Sequence, residues 1–168
     1  MYIATVTLSG NTVVISSLTV LFIILSIKVV SFSNNSVLAD ADDGGAIATL
    51  RGGTITGVTF TSNHARNGGA ILHEENGNLI ITNSIFNLNS APVNDNGGGA
   101  IFAGGQLTVS GSTFTSNSTN SEGGAINQEG GTFSVTNTTF SLNTAGQGGG
   151  AISANDQLTV SGSTFTSN

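Results

Sequence analysis

The chain has 168 residues, enough for one ordinary domain, and its three basic residues against nine acidic ones give a formal net charge of −6. Only Arg51 and Arg66 are basic beyond residue 40, which excludes an electrostatic footprint for nucleic acid. The lack of cysteine excludes a disulfide scaffold and a Cys-based zinc site, without fixing the compartment. Of the 24 glycines, 23 lie from Gly44 onward, and this shift in composition divides the chain into residues 1–41 and residues 42–168.

The N-terminal part carries no charge from residue 12 to residue 27, and Leu18 to Val30 (LTVLFIILSIKVV) is strongly apolar. Small residues follow at Val37-Leu38-Ala39 and Ala39-Asp40-Ala41, in the −3/−1 pattern of a signal-peptidase site. An export signal, cleaved or retained as a membrane anchor, is expected over residues 1–41. Against it stand the absence of Lys or Arg ahead of the run and a charge-free length a little short of the ~20 residues that span a bilayer. The alternative is an N-terminal β cap, because Val6 and Leu8 alternate with threonines and the run is rich in β-branched residues.

From Gly44 the sequence repeats itself. Five units open with Gly-Gly-Ala-Ile at residues 44, 68, 98, 123 and 149, so the spacings are 24, 30, 25 and 26 residues. Each carries Phe-x-x-Asn further on. Gly98–Asn117 (GGAIFAGGQLTVSGSTFTSN) returns almost unchanged at Gly149–Asn168. Self-similarity at a period in the twenties marks a stacked repeat architecture.

Aligned on their phenylalanines (Phe60, Phe86, Phe114, Phe140, Phe165), the units resolve into columns. Ile55, Ile81, Val109, Val135 and Val160 stand five residues earlier, and Gly53, Leu79, Leu107, Phe133 and Leu158 two before those. This alternation predicts a half-buried strand. Three residues before each Phe stand only Gly or Asn (Gly57, Asn83, Gly111, Asn137, Gly162), the residues that accept a left-handed backbone, which predicts a sharp bend. The Phe then lies in a second short strand with polar flanks, Ile85 excepted. Asn63, Asn89, Asn117, Asn143 and Asn168 follow each Phe by three and are placed to form a side-chain ladder between coils. The pairs Gly44-Gly45, Gly68-Gly69, Gly98-Gly99, Gly123-Gly124 and Gly149-Gly150 lead into a third strand, whose inward residue is Ile47, Ile71, Ile101, Ile126 or Ile152.

Three short strands per unit and no helical periodicity predict an all-β fold, a parallel β-helix of about five coils, roughly 24 Å tall at about 4.8 Å per coil. The Leu-rich repeat lacks its Leu/Asn spacing here, and the calcium-binding nonapeptide lacks its Gly-x-Asp.

Gly-Gly-Ala-Ile paired five times with Phe-x-x-Asn, over Gly44 to Asn168, resembles the repeat of the chlamydial polymorphic outer-membrane proteins and related right-handed β-helix autotransporter passengers. The resemblance implies a signal peptide, a passenger exposed at the cell surface or secreted, and an outer-membrane barrel at the C-terminus. It further implies an adhesin-like role toward a host-cell or extracellular-matrix component. This chain departs from that plan: Asn168 lies inside a coil, with neither a barrel nor a capping element before it, so a fragment of a larger protein is expected. Leu158, Val160 and Phe165 would then be left without a roof, and end-to-end self-association is expected.

Candidates for chemistry are sparse. A carbohydrate-active β-helix, of lyase or hydrolase type, needs several carboxylates close together. Glu74 and Glu129 fall at one position of the unit, Glu75 and Asp156 at the next, but Gly104 and Gly105 interrupt the file. Asp42, Asp43, Asp95 and Glu122 precede the Gly-Gly pairs and read as solvated turn residues. Arg51 is placed under Glu75 as an ion pair. His64, Arg66 and His73, with Glu74, lie about one junction without a recognised ligand spacing, and read as turn residues on a polar surface. No Gly-x-Ser-x-Gly elbow, Walker loop or Rossmann fingerprint occurs. No catalytic, cofactor-binding or metal residue is assigned. The sequons at Asn34, Asn117 and Asn137 read as chance. A surface passenger acting through shape and a polar Thr/Ser/Asn face is the expected function, with a polysaccharide-cleaving enzyme or a non-functional fragment as alternatives.

Overall fold

A computed structural model describes residues 26–28, 31–37, 44–74 and 77–168. Every strand pairing in it is parallel and joins one coil to the next, as a β-helix requires. Coil three shows the plan. Ile101–Ala103 belongs to an Ile sheet, Gln106–Ser110 to a Val sheet, Thr113–Thr115 to a Phe sheet, and Ser118–Thr119 to a fourth, short sheet.

Four strands per coil replace the three expected. The strand missed is only two residues long (His64–Ala65, Ser90–Ala91, Ser118–Thr119, Thr144–Ala145), too short for alternation to register. The columns themselves hold. Ile55 pairs with Ile81, Val109 with Val135 and Val135 with Val160, all in one file, and Leu79, Leu107, Phe133 and Leu158 form the next.

The interior is built from ladders. Phe32, Phe60, Phe86, Phe114, Phe140 and Phe165 stack with successive ring centroids 5.2, 4.7, 4.6, 4.9 and 4.9 Å apart, and no two neighbouring planes differ by more than 11°. Beside them runs a buried asparagine ladder. Asn89 Nδ2 donates to Asn117 Oδ1 at 3.0 Å and to the Phe60 carbonyl at 3.1 Å. Its own Oδ1 accepts from the Asn63 backbone N–H at 3.0 Å and from Asn63 Nδ2 at 2.9 Å. Both donors and both acceptor sites of the amide are therefore used, which makes full burial affordable.

The Gly/Asn column sits at positive φ throughout: Gly57 66°, Asn83 50°, Gly111 58°, Asn137 49° and Gly162 59°. Its alternation has a steric cause. Asn83 Oδ1 fills the space that a Cβ on Gly111 would take, and Asn137 Oδ1 does the same over Gly162. The next column (Val58, Ser84, Ser112, Thr138, Ser163) forms a second polar ladder, in which the Ser84 backbone N–H donates to Ser112 Oγ at 3.1 Å. At the Gly-Gly corner the backbones of neighbouring coils touch, and a Cβ on Gly99 would overlap the Gly124 carbonyl oxygen.

Pairing reaches upstream of the boundary expected at residue 42. Ser26–Lys28, Ser31–Ser33 and Ser36–Val37 pair with coil one, placing Phe32 under Phe60 and Asn35 under Asn63. They fall within the segment expected to be an export signal, and they supply strands. The rest of that segment, including Ala39 and Ala41, lies outside the described residues. At the other end Leu158, Val160 and Phe165 are 39–46% exposed.

The stack gives a direct expectation. Phe114→Ala should lower unfolding free energy by about 3–5 kcal/mol, since the ring is fully buried between Phe86 and Phe140. Equilibrium denaturation measures this.

Candidate functional surface

Two regions carry the chain's polar chemistry. The first flanks the Ile sheet, whose strands Ile71–His73, Ile101–Ala103 and Ile126–Gln128 are buried on both faces. Residues 92–97, the insertion that makes the second unit the longest, tie onto this sheet at Asn127. Asn127 Nδ2 donates to the Asn96 carbonyl, Ser121 Oγ donates to the Asp95 carbonyl at 2.5 Å, and the Asn96 backbone N–H donates to Asn67 Oδ1 at 3.1 Å. Asp95 is thereby fixed, and its carboxylate takes Arg66 Nε at 2.7 Å. Glu122 Oε2 accepts from Ser153 Oγ at 2.8 Å, and Asp156 Oδ2 from the Gly131 backbone N–H at 3.0 Å.

The backbone bond from Glu74 N–H to the Thr49 carbonyl, and its successors at Gly104 and Glu129, bear out the register read for the acidic file. Partial burial, then the charges of Glu122 and Asp95, hold the Glu129 carboxyl above the ordinary value of 4.5. Asp95 and Glu122 are thus partnered residues, not the free turn carboxylates the sequence suggested.

The histidines do not converge on a site. His64 stands on the short sheet with Nδ1 2.5 Å from Ser90 Oγ. His73 stands on the Ile sheet, fully buried, its Nδ1 3.4 Å from the Thr49 carbonyl and its Nε2 3.2 Å from the Gly77 carbonyl. Arg66 turns to Asp95 instead. The expectation that His73 lies on a polar surface is corrected: its column (Thr49, His73, Ala103, Gln128, Ala154) faces the interior. Among the described residues no group of three or more His, Cys, Asp or Glu could hold a metal ion. Glu75, the expected partner of Arg51, lies outside them, as do Asp42 and Asp43. Gln128 is one of the buried polar residues that the sequence did not announce; its Nε2 donates to the Gly131 carbonyl at 2.8 Å while its Oε1, like Asn127 Oδ1, has no partner among the described residues.

The second region is the outer side of the Phe sheet and the Val sheet. Residues flanking each inward Phe point outward and are hydroxylic or amide in all but one case: Thr59 and Thr61, Ile85 and Asn87, Thr113 and Thr115, Thr139 and Ser141, Thr164 and Thr166. Among the described residues no charged side chain stands on the outer side of the Phe sheet, whereas Lys28 stands at one end of the Val sheet.

The sequence profile of the right-handed β-helix region family matches residues 20–168, which spans both the paired strands upstream of Gly44 and all five coils. The chain belongs to that family. No curated protein matches it, and no solved structure does. In this right-handed β-helix the match, like the Phe and Asn ladders, extends N-terminal to residue 42. Among the described residues no helix is long and apolar enough to cross a membrane. The Asn117 sequon falls on a fully buried ladder residue, which a glycosyl transferase would not reach in the folded chain.

Glu129 gives a pH expectation. A carboxyl held above its ordinary value opposes folding when ionised; that penalty is present above its folded-state value and gone below the unfolded value of 4.5. Glu129→Gln should therefore raise Tm slightly at neutral pH, and the difference should vanish as pH falls below 4.5. Thermal melts across that range test it.

Proposed function

We propose that the chain is a surface-displayed or secreted β-helical rod that works by binding, an adhesin-like passenger of autotransporter type. The observation that carries this reading is the uncharged hydroxyl face on the Phe sheet, a regular polar surface that bears no charged side chain among the described residues. The five ordered Gly-Gly-Ala-Ile and Phe-x-x-Asn pairs support the comparison with chlamydial polymorphic outer-membrane proteins. The partner class on this reading is an extracellular surface component, with attachment to the membrane through the N-terminal segment or through a barrel encoded downstream. The exposed Leu158, Val160 and Phe165 support end-to-end association, which light scattering of the purified chain would register.

A polysaccharide-cleaving enzyme is the second reading, and the raised carboxyl of Glu129 beside Glu122 and Asp95 favours it. It would bring calcium- or acid-dependent cleavage of polysaccharide, lost in Glu129→Gln.

The test is made on source cells. The gene is sequenced past codon 168, and intact cells are treated with protease. A barrel-coding region downstream and a product digested from outside are expected. A product protected in intact cells and soluble in the cytoplasm would overturn export and adhesion together.

A further inference from the structure

We propose that the Phe-sheet face binds a crystalline water lattice, so that the chain's ligand is ice. The inference rests on the reading of this chain as an extracellular binding rod, and it names what the hydroxyl face would hold.

Four observations converge on that surface. The first is its period. The phenylalanine rings directly beneath the face repeat at 4.6–5.2 Å from coil to coil, and the outward residues on either side of each ring share that repeat. Water in a tetrahedral lattice with hydrogen bonds of about 2.75 Å places second neighbours about 4.5 Å apart, close to the coil repeat. Along each strand the two hydroxyl files are two residues apart, about 6.7 Å. The same lattice repeats at about 7.3 Å along its unique axis, within roughly a tenth of that.

The second is register. Thr59, Ile85, Thr113, Thr139 and Thr164 pair position for position from coil to coil, and so do Thr61, Asn87, Thr115, Ser141 and Thr166, so both files cross the sheet without a slip.

The third is availability. Among the described residues the hydroxyls of Thr59, Thr61, Thr113, Thr139, Thr164 and Thr166 make no hydrogen bond to the protein, and within the two files only Thr115 and Ser141 bond each other, at 3.2 Å. The Val sheet offers a similar composition but a different chemistry. There Ser110 Oγ donates to Thr82 Oγ1 and Thr108 Oγ1 donates to Asn78 Oδ1, both at 3.4 Å, and Lys28 lies at one end. Its groups are partly spent on one another, which singles out the Phe sheet.

The fourth is charge. The lattice is neutral, and so is the face, although the chain as a whole carries −6. A charged side chain would have to give up its hydration at an ice plane, whereas threonine supplies one hydroxyl and one methyl group. Ile85, 48% exposed, keeps the methyl and drops the hydroxyl in coil two.

The experiment uses the purified full chain. Thermal hysteresis and inhibition of ice recrystallisation are measured for the wild-type chain and for three variants, with circular dichroism confirming the fold of each. The wild-type chain is expected to shape ice crystals and depress their growth temperature. Thr113→Lys with Thr139→Lys should abolish both effects, Thr108→Lys on the Val sheet should leave them unchanged, and Ile85→Thr, which completes the file, should strengthen them. If the double variant fails to fold, Thr139→Lys alone, at an exposed site, serves in its place. Absence of hysteresis in the wild-type chain, its survival in the Phe-face variant, or equal loss in Thr108→Lys would overturn the proposal. Binding to particulate cellulose or chitin without any effect on ice would overturn it too, and would leave the passenger reading intact. Protease protection in intact cells with full hysteresis in vitro would remove the passenger reading alone.

Discussion

Each coil of this protein is tied to the next by a buried amide that hydrogen-bonds in both directions. The asparagine ladder from Asn35 to Asn168 links each side chain upward to the next Asn and sideways to a Phe carbonyl of the preceding coil, while its oxygen takes the backbone N–H and side chain below. A fully satisfied amide specifies register in a way that an apolar residue cannot, because a slip of one residue would leave several buried donors and acceptors unpaired at about 1–3 kcal/mol each. The Phe stack depends on that constraint. Rings superpose at 4.6–5.2 Å only when every coil begins at the same angular position.

The same repetition governs the outside. With an inward Phe fixed at the middle of each three-residue strand, its two neighbours must point outward, and the Thr, Ser and Asn at these positions align into files. The departures from the repeat are local. Residues 92–97, inserted between coils two and three, tie onto the Ile sheet and bring Asp95 to Arg66 and toward Glu129. Arg66, Asp95, Glu122 and Glu129 thus gather where the repeat is interrupted, away from the neutral Phe-sheet face.

The architecture was legible because column-wise alignment exposes what one coil conceals. The Gly/Asn column announced a left-handed bend that the backbone adopts at all five positions. A second left-handed column, Ser62, Leu88, Ser116, Leu142 and Ser167, was not legible, since neither Ser nor Leu signals positive φ. The ladder of Ser84, Ser112 and Thr138 was likewise hidden, because buried hydroxyls look like surface ones until their acceptors are known. Phe32 and Asn35 stand three residues apart, as in every later coil, but they follow an apolar run and lack the Gly-Gly signal that marks the other units. The position of His73 inside the stack follows from counting two residues past Ile71, an inference available in the sequence yet outweighed by its polarity.

The claim on which everything rests is inter-coil register, and the absence of cysteine makes it directly measurable. Thr108 and Ser134 are register partners on the outer side of the Val sheet, in coils three and four. Introduced as Thr108→Cys with Ser134→Cys, they would stand about 4.8 Å apart, within the Cα range of a disulfide. Thr108→Cys with Thr136→Cys moves the partner two residues along the strand, to roughly 8 Å, which is beyond that range. Mild oxidation should cross-link the first pair nearly completely, seen as faster migration on a non-reducing gel, and leave the second largely as free thiol. Equal cross-linking of both pairs, or of the second alone, would contradict the register and with it the ladders, the periodic face and the β-helix built on them.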